Sequence, residues 1–329
     1  MYSFSEFCEV IKEKVVASLP EYEFDKVSLE TVVKNNDNTK TGLTMLKKGS
    51  NVSPVIYLDE AYDSYIQGKN VDDIALDVKK AYLDAMTVNS VMDLKTDKML
   101  NKDNLFVKIV NYDSNKERLK NVVHKKHLDL AITVRMLASS EDGAIVSATL
   151  DPKLLGDLGM SKEEVIDYAI ENTKKLFPIK ISTMEETLLS SIAADFGEDS
   201  FEYEMMKMDL EMAIGSMGPQ MIIVSNEMGV NGATSILYED EIATFAKDED
   251  YVVLPSSIHE VIMLKMEPGM DEDYMRDMVR SINGSDVVND MDVLSDNIYK
   301  YDGKTKKIGF CNDSMSHELN KDTKKSKSL

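Results

Sequence analysis

Apolar residues recur at helical spacing in five stretches, each opened by capping chemistry. The first covers about Phe4 to Ser18. Ser3 and Glu6 form a capping box there, and Phe4, Phe7, Ile11 and Val15 share a face. A second follows Asn70, where Val71, Ile74, Ala75, Val78, Tyr82 and Ala85 make the stripe and Asp72, Asp77, Lys79 and Asp84 point away. A third follows Ser161 with Glu164 as its capping partner. Val165, Ala169 and Leu176 turn inward, and Pro178 prevents continuation. The fourth starts near Thr183 with Glu186, and Leu188 and Ile192 lie on one face. The fifth follows Asp271, with Met275, Met278, Val279 and Ile282 inward and Asn283-Gly284 as the stop.

Strands are expected between the helices. Val27–Val33 and Gly42–Leu46 flank the polar turn Asn35-Asn36-Asp37-Asn38, a hairpin pattern. Leu105–Val110, Ala131–Leu137 and Ala144–Leu150 follow, the middle one also compatible with helix. Later come Met221–Ser225, Thr234–Tyr238, Tyr251–Leu254, Val261–Lys265 and Ile298–Tyr301. Several are continuous apolar runs, the mark of strands covered on both faces. The order lacks strict βαβ alternation, so the expected class is α+β: mixed β-sheets with about five amphipathic helices packed on them. The expected division is an N-terminal α+β domain over 1–140 and a C-terminal one over 141–310, closely packed on the first. A disordered lysine-rich tail over 311–329 follows, with no apolar periodicity.

Residues 197–220 stand apart, with Met205, Met206, Met208, Met212 and Met217 set among acids and glycines. They read as a linker or surface helix, or as an adaptable apolar surface for a partner, because thioether chains repack at low cost. Charge sharpens the picture. Lys plus Arg number 38 against 59 Asp plus Glu, a formal charge of −21. That field repels phosphate backbones and anionic lipid, so nucleic-acid and membrane partners are not expected. No apolar run reaches the roughly 20 residues of a membrane helix. The opening MYSFSEFCEVIKEK has acid where a secretory leader is basic. Cys8 and Cys311, far apart and without CxxC spacing, fit a reducing compartment. The expected location is the cytoplasm.

Most catalytic motifs are missing. There is no GxxxxGK[ST] loop, no GxGxxG after a strand and no GxSxG elbow; Gly215-Ser216-Met217-Gly218 has the wrong spacing. His259-Glu260 and His317-Glu318 begin like a zincin helix, but Met263 and Lys321 stand where the second histidine belongs. His124 and His127 are weak metal candidates on a shared helix face with Asp129 near, opposed by Lys125 and Lys126 between them. No cofactor is expected. The densest polar group is Leu254-Pro255-Ser256-Ser257-Ile258-His259-Glu260, at a junction between two apolar strands. Pro255 should interrupt the ladder and turn the serines off the sheet. Ser256, Ser257, His259 and Glu260 are the catalytic candidates, with Ser257 and His259 as the better coupled pair if the chain is extended. The same residues read first as a structural corner, ahead of a binding pocket or a catalytic site.

Five blocks carry a resemblance. They are Tyr57-Leu58-Asp59-Glu60 with Tyr62 and Tyr65; Val110-Asn111-Tyr112-Asp113 with Asn115-Lys116, Leu119, His124 and Leu128-Asp129-Leu130-Ala131; Glu171-Asn172-Thr173 with Leu176-Phe177-Pro178; Leu254 through Val261; and Leu294-Ser295-Asp296 with Tyr299 and Tyr301-Asp302. In this order, from about residue 4 to 310, the chain resembles a bacterial domain-of-unknown-function family, number 5688 in that series. The resemblance implies a soluble bacterial protein of the kind encoded by Firmicutes and their mobile elements, with no established activity. The chain departs from the pattern at Val123, where proline is usual, and at His127, where a non-histidine is usual; the 205–217 methionines lie outside the pattern. The leading functional reading is a non-enzymatic interaction or adaptor protein whose partner is another protein. A hydrolase-like enzyme with its site around Ser256–Glu260 comes second. An anti-defence or DNA-mimic protein of a mobile element ranks below both, because the acids are mixed with 38 bases.

Overall fold

A computed structural model describes residues 1–49, 53–91, 100–140, 145–214, 219–285 and 287–311. Met217, His317 and the expected tail beyond Cys311 lie outside the described residues. The chain forms two compact units, Met1–Met99 and Leu100–Leu329. Position 140, the boundary expected from sequence, falls instead between two strands that pair with each other, Leu130–Ser139 and Val146–Thr149.

In the first unit, helix α1 (Phe4–Ala17) starts at the Ser3–Glu6 capping box. Strands β1 (Phe24–Val33), β2 (Thr39–Lys47) and β3 (Val55–Tyr57) form an antiparallel sheet in that order. The β1–β2 turn places Asn36 and Asp37 at positive φ, 57° and 47°, where short polar side chains are tolerated best. Helices α2 (Asp59–Ile66) and α3 (Val71–Val91) follow. The expected α3 stripe is the observed one: Ile74, Ala75, Val78 and Tyr82 join Phe7, Ile11, Val15, Leu43, Met45 and Leu58 in one core. Tyr82 threads its hydroxyl through that core to donate to the Met45 carbonyl at 2.9 Å.

The second unit holds two antiparallel sheets. In one, β6 (Leu130–Ser139) pairs with β4 (Leu105–Asn111) along one edge. Along its other edge it pairs first with β5 (His124–His127) and then with β7 (Val146–Thr149). The other sheet runs β13 (Lys307–Phe310), β12 (Tyr299–Asp302), β10 (Tyr251–Pro255), β11 (Val261–Lys265), β9 (Met221–Asn226), β8 (Ile179–Thr183). The class is α+β, and the pairings among the described residues are antiparallel rather than mixed. The 131–137 segment is strand, which settles its helix-or-strand ambiguity.

Helices longer than one turn in this unit are α4 (Lys162–Leu176), α5 (Met184–Phe196), α6 (Phe201–Ile214), α7 (Glu239–Ala246) and α8 (Glu272–Asn283). Capping boxes at Ser161–Glu164 and Thr183–Glu186 start α4 and α5 as the sequence indicates. Helix α8 buries Met275 and Val279, but Met278 and Ile282 are exposed, so its covered stripe is narrower than expected. Residues 234–238 are not a strand; Gly232–Leu237 is a 3-10 helix. Its polar groups bond through side chains, Ser235 Oγ to the Ser225 carbonyl at 2.8 Å and Thr234 Oγ1 from the Ile109 amide at 3.3 Å, which a ladder could not supply.

Replacing Tyr82 by Phe should cost about 1 kcal/mol, because the hydroxyl is removed and the Met45 carbonyl loses its buried donor. Leu76→Ala, on the exposed side of the same helix, should change stability by less than about 0.5 kcal/mol. Urea denaturation of both variants checks the contrast.

Candidate functional site

The β10–β11 connection contains the sequence candidates. The ladder ends at Pro255 paired with Val261, as the missing proline N–H requires. The loop between them closes on itself, the Ser257 amide donating to the Glu260 carbonyl at 3.2 Å. Ser257 Oγ accepts the His259 amide at 2.9 Å and donates to Glu260 Oε1 at 3.1 Å. The His259 ring is engaged elsewhere. Its Nδ1 accepts the Asn231 amide at 3.4 Å, and its Nε2 lies 3.5 Å from Asp292 Oδ1. With Nδ1 accepting, the proton sits on Nε2 and faces the carboxylate.

The structure therefore joins Ser257 to Glu260 and His259 to Asp292, rather than Ser257 to the His259 imidazole. A nucleophile and base need mutual hydrogen-bond reach, and this serine hydroxyl is directed at a carboxylate. His259 stands in a loop, not in a strand, so the extended chain on which its expected coupling to Ser257 depends is absent there. Ser256 begins the loop, half-buried.

Close packing holds this corner. Ser225 Oγ donates to the His259 carbonyl at 2.8 Å, the Ile258 amide to the Asp292 carbonyl at 2.8 Å, and the Ala233 amide to the Ile258 carbonyl at 3.3 Å. Gly232 lies against it so tightly that an added Cβ would stand 2.0 Å from Ser225 Oγ and 2.5 Å from the His259 carbonyl oxygen.

The histidine pair falls in β5, not on a helix. Residues three apart in a strand point to opposite faces, so the two rings cannot converge on one ion. The His124 Nδ1 donates to the Val122 carbonyl at 2.8 Å. Burial pulls the His127 imidazole below its ordinary pKa. Among the described residues, no three His, Cys, Asp or Glu side chains gather as a metal ligand set. Burial, ahead of neighbouring carboxylates, raises the Cys8 thiol to about 11, and burial likewise raises Cys311 to about 11, so neither carries thiolate near neutral pH.

Two further polar groups escaped the sequence reading. Asp129 follows Leu128, whose φ of 57° is costly for a branched side chain. The turn aims the carboxylate at three donors: Ser295 Oγ at 2.6 Å, Asn297 Nδ2 at 2.9 Å and Tyr299 OH at 2.8 Å. Burial, with the Asp129 charge beside it, raises the Tyr299 phenol well above its ordinary pKa, so it stays a donor. The signal lay in the resemblance: two of its blocks, remote in sequence, meet at this carboxylate.

Lys108 is the second group. It stands opposite Thr133 on β6, with Arg135 two residues along on the same face. Burial, then the like charges of Arg135 and Arg118, lower its ammonium to about 7, against a smaller opposing pull from Asp292. One lysine inside the apolar run Leu105–Val110 was the available signal.

In the first unit, Tyr57, Glu60, Ser64, Lys69 and Asp77 line an open recess of about 240 Å³. That is below the several hundred cubic ångströms that enclose most small ligands.

Among the described residues, exposed large apolar side chains concentrate on the α5–α6 hairpin, inserted between the edge strand β8 and its partner β9. Helix α5 has no buried residue. Helix α6 packs on α5, and its Tyr203, Lys207 and Leu210 are half-buried. Its other side shows Phe201, Met205, Met208 and Met212, which are 74%, 50%, 61% and 70% exposed.

Together these features define an α+β protein whose polar clusters bond inward and whose apolar excess lies on an edge hairpin. The chain belongs to the Family of unknown function (DUF5688), whose model matches residues 4–303. No curated protein and no solved structure matches it. No helix among the described residues is long and apolar enough to cross a membrane.

Asp129→Ala should cost about 3 kcal/mol, because three donors lose a charged acceptor together. A denaturation midpoint unchanged from the parent would show that the cluster does not hold the fold.

Lys108 gives a pH signature. Its folded pKa of about 7 lies below the unfolded value of about 10.4, so the unfolded chain holds more protons between them. The penalty is full below about pH 7 and fades as pH rises toward the unfolded value. Lys108→Met should therefore stabilise the fold more at pH 6 than at pH 9.5, read as paired urea midpoints. Equal gains at both pH values would contradict the assignment.

Proposed function

We propose that this is a non-enzymatic interaction protein, an adaptor of the bacterial cytoplasm, and that the outer face of α6 is its contact surface. The observation that carries the reading is the exposed row Phe201, Met205, Met208 and Met212. A helix covered on one side by its neighbour normally presents polar residues on the other. Here large apolar side chains continue around the helix with no covering element among the described residues. Methionine is suited to such a face, because its unbranched thioether adapts to different partner shapes. The hydrolase reading gains nothing from Ser257, whose hydroxyl faces Glu260.

The test places a photo-cross-linking amino acid at Met208 and, as control, at Leu76, which is 60% exposed in the other unit. Irradiated host cells should yield a discrete heavier adduct from position 208 and none from position 76. No adduct at 208, or the same adducts from both positions, would remove the reading.

A further inference from the structure

The spacing on α6 says what kind of partner fits. Phe201, Met205, Met208 and Met212 are separated by four, three and four residues. This is the d–a–d–a spacing of a coiled-coil seam, two heptads over a helix of 14 residues. In that register the e positions are Glu202 and Asp209 and the g positions are Glu204 and Glu211. The seam is thus flanked by a carboxylate on both sides in both heptads. Tyr203 and Leu210 take the f positions, opposite the seam, and are half-buried on a helix that packs against α5. The hairpin fixes the helix with its seam outward.

Resting on the interaction reading above, we infer that the partner is a cationic amphipathic helix of another protein, apolar at its a and d positions and Lys or Arg at e and g. Flanking charges select partners in helix pairing. In a parallel pair e faces g, and in an antiparallel pair e faces e and g faces g. A second copy of this chain would set acid against acid in either orientation, so self-pairing through this seam is opposed. The surroundings strengthen the bias, since Lys207 is the one base among residues 184–214, against nine acids. Methionines at three of the four seam positions set no preference for one packing geometry, so charge does most of the selecting.

Three synthetic peptides of about three heptads test this. One carries Leu at a and d and Lys at e and g. The second replaces those Lys by Glu, and the third scrambles the first. Titrated into the full chain, the Lys peptide should bind saturably and at least about tenfold tighter than the scrambled one. Affinity should fall with added salt, and the Glu peptide should not bind. Met205→Gln with Met208→Gln should weaken the Lys peptide about tenfold, with circular dichroism unchanged because both side chains are exposed. Reversing the flanks, with Glu202, Glu204, Asp209 and Glu211 each changed to Lys, should transfer binding to the Glu peptide. Equal binding of the scrambled peptide, an unaffected methionine variant, or a flank-reversed chain that keeps the Lys peptide would each overturn the inference. An adduct of two copies at Met208 would also overturn it. A discrete foreign adduct at Met208 with no Lys-peptide binding would sink the cationic helix and leave the interaction reading standing.

Discussion

Among the described residues strand β4 has a strand neighbour on one side only, so alternate backbone groups along its other edge need partners, and helix α4 and the Gly232–Leu237 turn supply them. Thr173 on α4 accepts the Val107 amide at 2.8 Å, and Thr234 on the 3-10 turn accepts the Ile109 amide at 3.3 Å. Asn172 donates to the Leu105 carbonyl at 2.8 Å and the Asp103 carbonyl at 2.9 Å. The contacts to Val107, Ile109 and Leu105 answer buried groups, each of which would otherwise cost about 1–3 kcal/mol. Each also fixes a different element. Helix α4 is oriented by its own polar residues, and the 3-10 turn ties the β4 sheet to the sheet containing β9. An edge closed in this way is not open to an added strand.

The same economy governs the polar clusters. The Ser257–Glu260 and His259–Asp292 pairs hold the β10–β11 loop against Gly232 and Ser225. The Asp129 carboxylate joins the β5–β6 turn to the approach of β12, across 170 residues at Tyr299. Serine, histidine and aspartate are common in active sites because they hydrogen-bond in several directions. Here that versatility is directed at backbone and at one another. The blocks that carry the family resemblance lie largely in these joints, including Asn172-Thr173, Asp129, Ser295 and the 254–261 loop.

What could be read from sequence follows the range of the interaction. Helix starts were legible because a capping box is written within four residues, as at Ser3, Ser161 and Thr183. So were most strands, and the break at Pro255, because a proline removes a donor wherever it stands. The 234–238 segment misled because Ser235 and Thr234 bond to residues far away, which no local pattern encodes. The histidine pair misled because four polar residues carry no apolar period to separate helix from strand. Strands β3, β8 and β13 are short, and their pairing partners decide them. Of the candidate site, the methionine cluster was visible as composition, while the outward direction of its face depended on which side of α6 meets α5.

That direction gives the acidic charge a specific use on this hairpin. An exposed apolar row is a hazard as well as an opportunity, because identical rows on two copies attract. Carboxylates at every e and g position act at about the width of a helix, within the roughly 8–10 Å over which physiological salt screens charge. They oppose self-pairing without covering the methionines. A neutral apolar helix would gain the seam contact but would have to desolvate carboxylates without compensation. A cationic helix gains the contact and satisfies the flanks. Apolar attraction and flank repulsion thus act on different partners, and the discrimination lies in their combination on one helical face.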